Sequence, residues 1–386
     1  MLFLLRKGLL VSPLVSLLAG VAGIASAHNE AARAIYEASG SIPTNIEGVH
    51  TFPAPPRDLD ALSASDETLA SYGLPPRPDR AADPAGYRSW AEAMRLRPER
   101  WNGTLTVRKA TGSSARVADD SQGGGAAWPA SSNAVTNSNT PNWSGVVHQL
   151  PLTSYSPTQS FYWVTAQFTV PVAQQAFSSA ASGNICDGDS DFAANWVGLD
   201  GYNQADVLQG GTDSIATCKS NVHSTSYYAW AEWYPGGSIR QFFVNPGDDM
   251  YVEVWNTGDR NGCAFIEDKT TRLSATYCLT APAGITLKGN QAEYILERCG
   301  GDTLTANHYF PLANYISSVW NQAKAQTFND VIYYPGLTTS TSYLLSMRDD
   351  GGVTISTPTV GAANGVGPYS IWFQNLGCSV TGGCAP

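Results

Sequence analysis

Two side chains in this 386-residue sequence could between them move a proton and hold an oxyanion. One is Gln209, in Val207-Leu208-Gln209-Gly210-Gly211. The other is Glu297, in Ala292-Glu293-Tyr294-Ile295-Leu296-Glu297. A carboxylate takes a proton from water, and an amide N–H can hold the developing oxyanion. Both strings read as short strands of alternating faces. In the first, Val207 and Gln209 point one way and Leu208 the other. In the second, Glu293, Ile295 and Glu297 share a face opposite Tyr294 and Leu296. One sheet could therefore present the amide and the carboxylate together. Two polar residues on a solvated sheet face would carry the same pattern.

The elements that must position this pair are mostly strands. Charged residues are only 14% of the chain, below the roughly 25% usual for globular proteins. Phe161–Val170 is aromatic and β-branched and stops at Pro171. Tyr227–Tyr234 puts Tyr228, Trp230, Glu232 and Tyr234 on one face. Met250–Trp255 follows the turn Pro246-Gly247-Asp248-Asp249. Ser342–Met347 and Val353–Thr357 flank Arg348-Asp349-Asp350-Gly351-Gly352, a hairpin signal. Tyr369–Phe373 reads as a closing strand, and Pro311–Ala325 as a weak helix. Many short strands with turns between them predict an all-β sandwich of antiparallel sheets.

Ahead of the strands the chain changes character. Arg6 and Lys7 precede an apolar stretch from Leu9 to Ala25, and Ala25-Ser26-Ala27 fits a cleavage site, so residues 1–27 read as a secretory signal peptide. Residues 28–109 are rich in Ala, Pro and Arg. Helical character is expected at Asn29–Ser39 and at Ser89–Leu96, the latter ended by Pro98. Residues 110–141 are low in complexity and read as a flexible linker with a processing site. Residues 142–386 carry 9 Lys+Arg against 19 Asp+Glu, whereas residues 28–141 carry 11 against 13. Arg95, Arg97, Arg100, Arg108 and Lys109 cluster at the end of the first segment. A basic segment ahead of an acidic domain suggests a partly helical propeptide, 28–109, docked electrostatically on a domain spanning 142–386. An ordinary N-terminal domain would look similar.

The seven cysteines read as disulfide partners in an exported protein, with one left over. Cys263 and Cys278 could bridge a hairpin, and Cys378 and Cys384 could pair locally. The five histidines lack metal-ligand spacing, so no metal and no cofactor are expected. G-x-S-x-G, H-E-x-x-H and the Asp-Thr-Gly or Asp-Ser-Gly of aspartic peptidases are absent. The acidic domain has no basic stripe for nucleic acid, and nothing after the signal is long and apolar enough to span a bilayer.

Five motifs occur in series: Asn142-Trp143-Ser144-Gly145, Phe168-Thr169-Val170-Pro171, Trp196-Val197-Gly198-Leu199-Asp200-Gly201 running into the Gln209 string, Tyr228-Ala229-Trp230-Ala231-Glu232-Trp233-Tyr234-Pro235, and the Glu297 string. In this order and spacing the series resembles the glutamic peptidases, the eqolisin family. The likeness is strong over about residues 142–300 and weak after them. It implies a lectin-like, concanavalin A-like sandwich of two antiparallel seven-stranded sheets, made as a secreted, acid-active zymogen. It implies Gln209 and Glu297 as the catalytic pair, with Trp143, Trp196, Asp200, Trp230 and Glu232 supporting the site or binding substrate. Tyr228 stands where many members have Asp, and Arg298 follows the glutamate where fungal members tend to have Asp. The segment Leu279–Asn290 looks longer than usual.

The expected function is therefore a secreted endopeptidase, a monomer that hydrolyses polypeptides and is inhibited intramolecularly by its own propeptide. Glu297 would be the general base, and Gln209 would hold the oxyanion and the water. Two other readings stay open at this stage. One is a β-sandwich glycoside hydrolase using Glu232 and Glu297. The other is a non-catalytic carbohydrate-binding sandwich. Glu232 lies inside an aromatic-rich strand, where a carboxylate is costly unless paired. The indoles could be core aromatics whatever the function, and Asp200 could simply serve a turn before Gly201.

Overall fold

The computed structural model describes residues 40–108, 136–176, 187–300, 309–337, 342–349, 351–361 and 367–376. The signal segment, the expected helix at 29–39 and the pair Cys378 and Cys384 lie outside these residues. The N-terminal segment forms β1 (Ile42–Pro43), β2 (Val49–Thr51), α1 (Asp66–Ser71), α2 (Pro84–Arg95), β3 (Glu99–Arg100) and β4 (Thr106–Arg108). The sandwich begins with β5 (Thr136–Thr140), β6 (Trp143–Gln149), β7 (Phe161–Thr169), β8 (Asp187–Leu199), β9 (Val207–Lys219) and β10 (Val222–Tyr234). It continues with β11 (Ser238–Phe243), β12 (Asp249–Asn256), β13 (Asn261–Asp268), β14 (Leu273–Thr280) and β15 (Gln291–Glu297). It ends with β16 (Ser317–Thr327), β17 (Ile332–Tyr333), β18 (Ser342–Arg348), β19 (Thr354–Val360) and β20 (Ile371–Asn375).

Pairing builds two antiparallel layers. The front layer runs β18–β6–β15–β8–β9–β10–β11, seven strands. The back layer runs β14–β13–β12–β7–β16–β20–β19, also seven. The β18–β19 pairing joins them. Side-chain alternation decides what lies between the layers. Leu208, Val197, Tyr294 and Leu296 of the front pack with Val164, Phe168, Val252 and Val254 of the back in one buried core. Their neighbours in sequence point away. Trp143, Trp196 and Trp230 gather on the outer front face. Tyr162, Trp163, Tyr251, Trp255 and Phe265 gather on the outer back face.

Several expectations hold. Cys263 and Cys278 are bonded across the β13–β14 register. The Ser342–Met347 and Val353–Thr357 hairpin is β18–β19. The expected helix at Ser89–Leu96 lies within α2, which starts earlier: Pro84 sits in its first turn and the Asp83 carboxylate caps it by accepting from the Gly86 N–H at 2.8 Å. Two stretches differ. Pro311–Ala325, read as a weak helix, mostly forms β16, because Ser318 and Trp320 alternate with exposed neighbours between β7 and β20 and tertiary pairing outweighs local propensity. The sandwich also starts before Asn142, since β5, inside the stretch read as linker, runs parallel to β18.

The N-terminal segment lies mainly across the outer back face. Trp90, Met94, Leu69 and Leu74 pack with Tyr162, Trp163, Trp255 and Phe265. Asp83 and Lys324 form a buried ion pair at 2.8 Å. The expected electrostatic docking by the arginine cluster takes a different form. Arg95 and Arg97 are exposed, and Arg97 bonds within its own segment, to the Arg57 carbonyl. Arg100 alone of these three is seen to reach the sandwich, donating to the Thr276 hydroxyl, and the buried pair has the acid on the segment and the base on the sandwich. Apolar burial, not the cationic surface, attaches the segment.

Candidate active site

The outer front face collects the side chains singled out in the sequence. Register sets Glu297 of β15 beside Trp143 of β6 on one side and Ala194 of β8 on the other. Two pairs along, on the same face, Trp196 faces Ile295. The Trp143 and Trp196 rings meet edge to face, with centroids 4.8 Å apart. Trp196 Nε1 donates to Glu297 Oε2 at 2.8 Å, and Asn142 Nδ2 donates to Oε1 at 3.2 Å. Asn142 is itself pinned, because its carbonyl accepts from the Arg298 N–H at 3.0 Å and Arg298 Nε donates to the Pro141 carbonyl at 2.6 Å. Thr140 Oγ1 bonds both the N–H and the carbonyl of Trp143. Burial pushes the Glu297 pKa well above that of a free glutamate, and the nearby Glu232 charge adds to this. The Trp196 and Asn142 donors pull the other way. A proton on Glu297 is thus held more tightly than on a free side chain, yet the carboxylate has donors waiting for it.

Gln209 of β9 faces Glu232 of β10 directly across the pair, and Gln209 Nε2 donates to Glu232 Oε2 at 2.9 Å. The carboxylate that looked costly inside an aromatic strand therefore has its partner. Two pairs along, on the same face, Gly211 meets Trp230, and Gly211 also faces Trp196 on β8. A Cβ on Gly211 would lie 2.0 Å from the Asn195 carbonyl oxygen and 2.6 Å from Trp196 Cβ. Glycine lets β8 and β9 close up here, and the row carries two indoles with no side chain between them. Trp230 is 4% exposed, and its Nε1 has no hydrogen-bond partner among the described residues. Trp196 thus stands on the strand between those bearing Glu297 and Gln209.

Asp200 occupies a different place. Its carboxylate accepts from the backbone N–H groups of Lys288, Gly289, Asn290 and Gln291 at 2.7–3.2 Å. Burial pushes its pKa up and these four donors pull it down; a carboxylate ringed by N–H groups is best satisfied ionised. Asp200 anchors the turn that launches β15, so it positions Glu297 from the far end of that strand. Glu293, which the sequence would allow as a solvated neighbour, is fully buried, and neither carboxylate oxygen has a hydrogen-bond partner among the described residues. Burial raises its pKa well above normal, with Asp200 and Asp206 adding to the effect. Tyr228, the departure noted above, donates its hydroxyl to Asp213 Oδ2 at 2.5 Å, with the Arg240 guanidinium 4.0 Å from its ring centre.

The structure brings Trp143 and Trp196 to Glu297 and Glu232 to Gln209, with Trp230 opposite Gly211 two residues along. It leaves Asp200 at the base of the loop. Asn142 is a contributor that the sequence does not single out; its signal is its place directly before Trp143 in the first motif. The Tyr228–Asp213 contact was not legible, because it depends on cross-strand register. Among the described residues no group of three or more His, Cys, Asp or Glu could hold a metal ion.

A buried carboxylate held by indole and amide donors, on the same sheet face as a glutamine paired to a second glutamate, is the kind of site a hydrolase uses to activate water. The sequence profile of the Peptidase A4 family matches residues 141–366. Aspergillopepsin-2 of Aspergillus niger is 30% identical over 211 residues, covering 51% of this chain and 70% of that protein. Scytalidopepsin B of Scytalidium lignicola is 31% identical over 140 residues, covering 36% of this chain and 46% of that protein. A crystal structure of scytalido-glutamic peptidase with a peptide-based transition-state analogue aligns with a TM-score of 0.47 at 20% identity, over 61% of this chain and 98% of that one. The chain belongs to the Peptidase A4 family and is a glutamic endopeptidase.

Proposed function

We propose that the protein is a secreted, acid-active endopeptidase that uses Glu297 as general base and acid and Gln209 as oxyanion and water-positioning residue. The observation that carries this reading is the Glu297 carboxylate itself: buried, yet with Trp196 and Asn142 donating to its two oxygens. Substrate lies along the outer front face over the row Trp196–Gly211–Trp230. Ionised Glu297 takes a proton from water as the water oxygen attacks the scissile carbonyl carbon. The Gln209 amide has a second N–H beyond the one given to Glu232, and it serves the developing oxyanion. Glu297, now protonated, delivers the proton to the leaving nitrogen, and the C–N bond breaks. The burial that raises its pKa leaves only a fraction of Glu297 ionised in acid, and makes that fraction a stronger base than a free glutamate. Trp230 Nε1 donates to a substrate carbonyl.

The protein is made as a zymogen and acts as a monomer on polypeptides. Residues 28–109 are its propeptide, and the linker is cut within 110–141. The described part of that segment meets the front layer through β4, which pairs with β11 from Ser238↔Arg108 to Arg240↔Thr106. Arg240 stacks on Tyr228, so inhibition runs through this edge. A cut in the linker turns β4 into a chain end held by three residue pairs, and such ends fray.

The test is a pair of variants assayed on a protein substrate at mild acid pH. Gln209→Ala lowers turnover by on the order of 10²–10³, and Glu297→Gln by about two to four orders of magnitude. Because the two act as a unit, the double variant is little worse than Glu297→Gln alone. Full turnover by a folded Gln209→Ala protein overturns the reading.

A further inference from the structure

The outer back face carries groups that the peptidase reading does not use. We infer that residues 40–108 stay bound to this face after the linker is cut, so that the active enzyme is a non-covalent two-chain protein with the segment as a clamp on the layer opposite its site. This rests on the reading that the linker is processed, and it changes what processing leaves behind.

Three kinds of contact carry the inference. The first is apolar: Trp90 is fully buried, and Leu69, Ala70, Ala93 and Met94 are buried with it against Tyr162, Trp163, Trp255 and Phe265. Removing the segment would put these aromatics in water, on the scale of the exposed patches that mark interaction sites. The second is polar and dry. Lys324 Nζ reaches both Asp83 oxygens, at 2.8 and 3.0 Å, and Gln167 Nε2 donates to Ser89 Oγ at 2.8 Å. Arg100 donates to Thr276, whose hydroxyl in turn donates to the Gly73 carbonyl at 2.6 Å. Breaking a buried pair by removing one partner is strongly unfavourable. The third is backbone pairing: β2 lies antiparallel and β3 parallel to β14. None of these contacts passes through the linker, so cutting it removes none of them.

The same face makes retention depend on pH. Glu253 and Glu267 lie on it, 2% and 0% exposed. Burial pushes each to about 8. Tyr251 donates to Glu253, the Lys324 charge acts on it, and the Tyr162 hydroxyl feels the charges of both Glu253 and Asp66 of the segment. Lys269, Asp268 and Asp249 surround Glu267, and Arg88 and Tyr369 stand near the Asp83–Lys324 pair. Once uncovered, the two carboxyls return toward the ordinary glutamate value of about 4.3. A pKa raised in the bound state means that binding is at full strength below the free value and is lost as pH rises through the bound one. The clamp therefore holds in acid, where the enzyme works, and loosens towards pH 8.

The experiment uses the full chain with a site for a sequence-specific protease inserted between residues 110 and 135, in the Glu297→Gln background. No activity of the protein is needed, so failure here and failure of the catalytic assignment are distinguishable. After cutting, size-exclusion chromatography with mass detection is run at pH 5 and at pH 8, each at low and at high salt. At pH 5 the two fragments co-elute one to one at both salt concentrations, since buried contacts are little screened. At pH 8 a fraction of the segment separates. Trp90→Ala, which removes the central buried indole, weakens retention at pH 5 by at least about 100-fold, the scale of a buried Trp truncation. A segment that elutes alone at pH 5, whatever the state of the sandwich, overturns the inference. Equal retention at pH 5 and pH 8 overturns the role given to Glu253 and Glu267.

Discussion

The two outer faces of this sandwich are built from the same materials and do different things. Each has indoles or phenols around buried glutamates: Trp143, Trp196 and Trp230 with Glu297 and Glu232 in front, Tyr251, Trp255 and Phe265 with Glu253 and Glu267 behind. Burial raises the pKa of Glu297 in front and of both glutamates behind. A perturbed carboxylate in an aromatic setting therefore does not by itself mark a catalytic site here. The difference lies in donors and cover. Behind, Glu253 accepts from the neighbouring Tyr251, Glu267 has no hydrogen-bond partner among the described residues, and a segment of the chain lies on top. In front, Glu297 has indole and amide donors that hold the charged form, and the Gln209 amide donates to Glu232.

The sharpest way to break this comparison is to neutralise one carboxylate on each face. Glu297→Gln lowers turnover on a protein substrate by about two to four orders of magnitude, and Glu253→Gln leaves it within about two-fold. Steady-state kinetics at mild acid pH checks both, and thermal melts show that each variant is folded. A large loss of turnover in a folded Glu253→Gln protein means that the back face takes part in catalysis.

The next effect is on stability. Trp90→Ala in the uncut chain removes a fully buried indole from the back-face cluster and costs about 3–5 kcal/mol. Denaturant unfolding measures it. A loss below about 1 kcal/mol would show that the segment only rests on the sandwich. Buried carboxyls also set how stability varies with pH. Glu253 and Glu267 bind protons more tightly when folded, so stability falls as pH rises from about 4.3 towards 8. Glu267→Gln removes one ionisable group and shrinks that fall in melting temperature. An unchanged pH profile would mean that Glu267 is hydrated in solution.

How much of this was legible in the sequence follows from what each feature depends on. Strand alternation placed Gln209 on one face of its strand and Glu297 with Ile295 on one face of another, and side-chain period alone decides that. The motif series named the family because its order along the chain is itself sequence information. Register is not, and it decided the rest. Glu232 meets Gln209 because the β9–β10 pairing sets them opposite, and Tyr228 meets Asp213 for the same reason. Asn142 reaches Glu297 across 155 residues of chain. The strand β16 was misread because its Ala and Lys residues favour helix locally while pairing on both sides makes it a strand. The arginine cluster was visible as composition, but composition does not tell a docking surface from a solvated one.

A smaller effect separates the two front-face glutamates. The Glu232 charge is one cause of the raised Glu297 pKa. Glu232→Gln removes that charge, so the Glu297 pKa falls and its base form persists to lower pH. The acid limb of the kcat/KM profile then moves to lower pH, by an amount on the order of one unit or less. A pH–rate profile on a small peptide substrate reads this directly. An unmoved acid limb would mean that Glu232 carries no charge beside Glu297 over this range, and a loss of turnover as large as that of Glu297→Gln would mean that Glu232 is itself the catalytic carboxylate.

The smallest effect tests what attaches the back-face segment. Arg95 and Arg97 are exposed, and the polar contact given by Arg97 stays within the segment. Exposed charges away from specific contacts change stability by no more than about 0.5 kcal/mol, and salt screens what attraction they have for an acidic surface. Arg95→Gln with Arg97→Gln should therefore leave the unfolding midpoint of the uncut chain almost unchanged, at low and at high salt alike. Arg100→Gln should cost more, because it removes donors to Thr276 and to the Tyr72 carbonyl. If the double variant instead destabilises the chain by more than Arg100→Gln does, and the loss vanishes at high salt, the segment is attached by electrostatics and not by the burial of Trp90 and its neighbours.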